Sequence, residues 1–165
     1  MSTRMFFLVS CSLLLGMMVV GEATAQVTEY AAKYTCGRVR PSAAGGDADV
    51  VVGVYATAIN IHNSQADTQV PLVEKIFVVN PEGQGPGRVF ERRDTLGPDK
   101  AERVDCPVIF GHLRITPGTH VEGFVVLEIP PQLFLDVVGV YSARASTGEA
   151  SSLDVVVYSP KEITR

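Results

Sequence analysis

Tryptophan is missing from this chain, and cysteine and histidine are scarce, with three of each among 165 residues. Without tryptophan the sequence lacks the usual aromatic platform for stacking sugars, a role left to Tyr55, Tyr141 and Tyr158. No Gly-x-Ser-x-Gly elbow occurs, which removes the signature of an α/β-hydrolase serine nucleophile. Basic charge is not in excess: 14 Lys and Arg stand against 18 Asp and Glu, for a formal net charge of −4. Such a mildly acidic, mixed chain carries no electrostatic footprint for nucleic acid or anionic lipid.

Metal and phosphate signatures are also wanting. His62, His112 and His120 match no close-set ligand spacing, and each lies beside a predicted turn. Asp47-Ala48-Asp49 starts like a Ca²⁺ loop but has neither the glycine at the sixth position nor the glutamate at the twelfth. Gly83-Gln84-Gly85-Pro86-Gly87 has the glycine density of a phosphate cradle, yet strands rather than a helix flank it, so it reads as a hairpin loop. No catalytic residue, metal or cofactor is therefore assigned.

What the chain does have begins at its N-terminus. Arg4 precedes an apolar run from Met5 to Val20 that exits through Ala23-Thr24-Ala25. This is the three-part form of a cleavable secretory signal over residues 1–25, with Gln26 as the new terminus. A single-pass anchor is the rival, because the run is near the minimum spanning length. Leu8-Val9-Ser10-Cys11 resembles a lipobox, but too few apolar residues precede Cys11 and the run continues past it. Residues 26–165 then form one domain, periplasmic or secreted, with no membrane span after cleavage.

Cys36 and Cys106 remain after cleavage, and an even pair in an oxidising compartment is most simply a disulfide. Closing so long a loop stabilises by about 4 kcal/mol on the chain-entropy model. The alternative, Cys106 as a nucleophile served by His112 or His120, has no orienting third group.

Short β-branched and aromatic runs alternate with Gly, Pro, Asn and Asp clusters, without any long stretch of helical periodicity. The expected class is an all-β antiparallel sandwich of about seven to eight strands. Strands are expected over 30–36, 50–62, 70–80, 88–92, 101–104, 121–129, 135–145 and 153–158. The run from Val50 is apolar on both sides and should be central, and the turn Asn63 to Asp67 should make a hairpin with the next strand. Asp105-Cys106-Pro107 reads as a helix start, giving one short helical turn near 106–113. Residues 160–165 read as a frayed tail.

Polar residues at strand ends are the candidate function. Asn60, His62, Asn63 and Asn80 are expected to line a binding surface at the end loops of the sandwich. Glu122, Glu128, Asp136 and Asp154 lie in or near strands and offer carboxylates to an enzyme reading that has no motif behind it and requires two of Glu122, Glu128 and Asp136 to face one cleft. Glu91-Arg92-Arg93-Asp94 and Lys100 to Arg103 read as a solvated hairpin end.

Tyr55 to Asn63, Leu96 to Cys106, Val121 to Glu128 and Leu135 to Tyr141 together resemble a family of uncharacterised exported bacterial proteins. More distantly, the order of strand, Asn-rich turn, strand, Pro-containing turn, basic strand, short polar segment and two apolar strands resembles the sensory rhodopsin transducer family. That resemblance implies an oligomeric, non-enzymatic sandwich that binds small molecules or macromolecules. The signal and the cysteine pair depart from that family, and no site residue carries over. The expected role is an exported non-enzymatic sandwich of the bacterial cell envelope, binding a small molecule or envelope protein, with a homo-oligomer allowed. Two alternatives stand beside it: a carbohydrate-active envelope enzyme using strand carboxylates, and an assembly subunit pairing through an edge strand.

Overall fold

Period-two alternation organises the chain into strands whose inward residues are apolar or aromatic, beginning with Tyr30, Ala32, Tyr34 and Cys36. A computed structural model describes residues 25–40, 51–79, 87–145 and 151–164. In order these form β1 (Gln26–Val39), β2 (Gly53–Asn63), β3 (Val70–Val78), β4 (Val89–Leu96), β5 (Lys100–Asp105), α1 (Cys106–Leu113), β6 (Val121–Ile129), β7 (Asp136–Ala145), β8 (Ser151–Tyr158) and β9 (Lys161–Thr164). The signal segment up to residue 24, Asp47-Ala48-Asp49, the glycine-rich stretch from Gly83 to Pro86, and the turn Ser146 to Glu149 lie outside the described residues.

All pairings between these strands are antiparallel, as an all-β sandwich requires. One layer runs β9-β1-β6-β3-β4. The other centres on β2, with β7 and then β8 on one side. Its opposite side is shared by the last residues of β1 and by β5. β2 is thus central. Its inward row is Thr57, Ile59 and Ile61, while Val54, Ala56 and Asn60 face solvent.

β1 belongs to both layers. Thr28 to Cys36 pair with β6, and Gly37 to Val39 pair with β2. The switch needs glycine: Gly37 has φ +96°, and a Cβ there would lie 2.1 Å from the Thr119 carbonyl oxygen. Next to it, Cys36 is joined to Cys106 with Cα atoms 5.6 Å apart, so the corner is covalently tied to the start of α1. Asp105 caps that helix, accepting the Val108 N–H at 3.2 Å, and Pro107 fills the first turn where no donor is needed. The helix ends at Arg114 in the left-handed region and buries Ile109, Phe110 and Leu113 in the core.

Two expectations are corrected. β2 and β3 do not form a hairpin, because residues 64–69 carry the chain from one layer to the other and β3 pairs with β4 and β6. The tail is also not frayed: Lys161 to Thr164 form β9 along the edge of β1, with Gln26 opposite Thr164. A four-residue polar segment shows no alternation long enough to read, and its order comes from the partner strand. The β3–β4 hairpin around the glycine-rich stretch does form.

Candidate functional site

Asn60 and His62 sit two residues apart on β2 and share its outward row. Asn60 is exposed, opposite Arg103 on β5 and Val138 on β7. His62 is held between two exposed carboxylates, with Nε2 3.3 Å from Asp99 Oδ1 and Nδ1 3.4 Å from Asp136 Oδ2. Asn63 points the other way and does not line a surface. It is fully buried, and its amide donates to the carbonyls of Thr68 (2.7 Å), Leu96 (3.1 Å) and Gly97 (2.9 Å) while its oxygen accepts from the Gln65 backbone N–H (3.1 Å). Its work is to tie together the loops through which the chain changes layer. Asn80 lies outside the described residues.

The four carboxylates of the enzyme reading do not meet. Glu122 lies 3.5 Å from Lys33 Nζ and 3.7 Å from His120 Nε2. Glu128, six positions along the same strand, is bound by Lys75 Nζ at 2.5 Å. Asp136 is across the molecule beside His62, and Asp154 lies beside Tyr141 in a third place. Glu128 does line a groove of about 900 Å³, with Val27, Val73, Arg93, Pro130 and Pro131, but the other three are absent from it. The histidines are likewise dispersed, His112 stacking on Phe90 and His120 edge-on to Tyr55. Among the described residues no group of three His, Cys, Asp or Glu side chains is placed to hold a metal.

The charged run at 91–94 is not wholly a solvated hairpin end. Arg92 turns inward and binds the fully buried Glu74 at 2.9 Å, Asp94 at 2.9 Å, and Glu102 on β5. Burial disfavours its charge, but hydrogen bonds to Glu74 and Glu102 outweigh that, and its pKa is raised. The network bridges β4 of one layer to β5 of the other. Period-two counting back from buried Leu96 puts Arg92 on the inward row, a signal the sequence did contain. Nearby in the core, burial pushes the Tyr34 phenol up to about 12, with its hydroxyl donating to the Phe77 carbonyl at 2.9 Å.

The least protected surface was not singled out from sequence. β8 pairs with β7 on one side and, among the described residues, with no strand on the other. Its outward row is apolar: Leu153 is 70% exposed, Val155 55% and Val157 74%. Val138 and Val140 of β7 stand opposite Val157 and Val155, so the patch extends across the layer toward Ala58 of β2. On the inner side, Tyr158 is hydrogen-bonded to Tyr141, whose hydroxyl also reaches the Lys33 carbonyl at 2.6 Å. β8 is therefore anchored from within and bare outside.

No family model and no curated protein matches this chain. It is similar in shape to the crystal structure of Thermotoga maritima 1070, at 12% identity and a TM-score of 0.43, over 83% of this chain and 95% of that one. A likeness of that degree carries no functional argument. Among the described residues no helix is long and apolar enough to cross a membrane.

Proposed function

We propose that this chain is an exported, non-catalytic sandwich of the bacterial envelope that binds a protein partner by strand addition at β8. The observation that carries this reading is the row Leu153, Val155 and Val157, exposed on an edge strand with no lysine or proline to block pairing. In strand addition the free backbone N–H and C=O groups of the edge supply affinity, and alternate side chains supply selectivity. Binding rather than catalysis is favoured because the candidate carboxylates are each engaged in a separate place. The transducer-family resemblance implies a binding role as well. Export is supported by the Arg4, apolar run and Ala23-Thr24-Ala25 pattern, and by a cysteine pair at bonding distance, which suits an oxidising compartment.

The test is a photo-crosslinking residue at position 155 or 157 in the exporting cell, with the same probe at exposed Asp67 as control. A discrete adduct from β8 and none from the control is expected. Equal labelling at all three positions, or none at β8, overturns the reading.

A further inference from the structure

At the layer-switching corner, Arg38 lies in the last residues of β1 and Arg40 directly follows its end at Val39. Together with Thr116, Pro117, Gly118, Thr119 and His120 they line a cavity of about 510 Å³. Neither guanidinium has an ion pair or side-chain hydrogen bond among the described residues. Arg88, Arg92 and Arg103 by contrast are each engaged, with the Leu113 carbonyl, Glu74 and Asp105. The carboxylate that approaches this wall, Glu122, is already matched by Lys33 at 3.5 Å.

The backbone at Arg38 is fixed. Arg38 N–H donates to the Gly118 carbonyl at 3.1 Å, Thr119 N–H closes a turn onto Thr116 at 3.1 Å, and Gly37 packs against Thr119. The adjacent Cys36–Cys106 link holds the same corner. Two cations that line one cavity repel each other until a counter-charge lies between them. Guanidinium forks bind two oxygens of one anion, and a rigid frame lowers the ordering cost of doing so. Thr116 and Thr119, which line the same cavity, carry hydroxyls that can serve as neutral donors.

We propose that this cavity is a binding site for an oxyanion group, a phosphate or a carboxylate, held by Arg38 and Arg40. The site is separate from β8 and does not depend on strand addition there. Titration of the disulfide-bonded protein with inorganic phosphate, and separately with acetate, followed by NMR, tests it. Saturable shifts are expected at the Gly118 and Thr119 amides, and the tighter of the two ions identifies the group. Arg38→Ala and Arg40→Ala should each weaken binding about tenfold. Arg38→Lys should also weaken it, because an ammonium keeps the charge without the fork. Arg144→Ala, an exposed arginine outside the cavity, should leave affinity unchanged. Shifts that do not saturate with either ion, or that survive in the Arg38→Ala, Arg40→Ala double variant, overturn the proposal.

Discussion

β4 and β8 are both edge strands, one in each layer, and they treat their open sides in opposite ways. The exposed residues of β4 include Glu91 and Arg93 on one face and Asp94 on the other, charges that resist edge-to-edge pairing. β8 exposes one charge, Asp154, beside the apolar row of Leu153, Val155 and Val157. Their inner sides differ too, because β4 is anchored by the Arg92 network and β8 by the Tyr141–Tyr158 contact. An apolar row is therefore not a general habit of this fold's edges. It is confined to one of them, which is why β8 is the proposed docking strand.

The corner at Gly37 joins the two layers through β1, so the largest change should come from removing the cysteine pair beside it. Cys36→Ser with Cys106→Ser opens a link with a sequence separation of 70 and should cost about 4 kcal/mol in urea unfolding, affecting both layers alike. Arg92→Met should break the β4 side alone, at about 3 kcal/mol, because Glu74 would be left buried without its cation. Hydrogen exchange should then rise at β4 and β5 and stay low at β7. Adding Glu74→Leu should restore most of the loss, as apolar packing replaces the ion pair.

Alkaline pH should act in both layers, at the Tyr141 phenol beside β8, which burial and the bond to Tyr158 also raise, and at Tyr34 in the layer that contains β4. The Tyr34 phenol is raised from 10.0 to about 12 by burial, so the folded state holds its proton where the unfolded chain loses it. Its contribution is complete below pH 10.0 and drains away as pH rises toward about 12. Tyr34→Phe should remove the Tyr34 part of that alkaline slope and leave the Tyr141 part, while costing about 1 kcal/mol at neutral pH for the lost bond to the Phe77 carbonyl. The smallest effect on stability is expected from Val155→Lys, within about 0.5 kcal/mol. That variant gives β8 the charge β4 already carries, and the adduct formed through position 157 should disappear. Retention of the adduct would mean that the two edges are functionally equivalent.

Strand positions were legible because β-branched alternation and turn residues are local signals, and α1 was legible because Asp105 and Pro107 together suit the cap and first turn of a helix. Pairing was not. An Asn-rich turn looks the same whether it joins two paired strands or carries the chain between layers, and Asn63 reveals which only through partners more than thirty residues away. β9 was missed because its order is lent by β1. Of the proposed surface, Asn60 and His62 do face outward, since period two alone decides that, whereas β8 read simply as another strand. Its exposure follows from being last in the layer, a property of strand order that no local pattern contains.

The pairing of Gln26 with Thr164 has a kinetic meaning. β1 is the earliest of the described strands to be synthesised, yet it pairs along its length with β6 and at its start with β9, the latest of them. Contacts so distant in sequence make folding slow, because much of the chain must be confined before they can form. For a chain that threads through a membrane pore, as proposed here, that delay is useful: β1 finds its full set of neighbours among the described strands only after β9 has emerged.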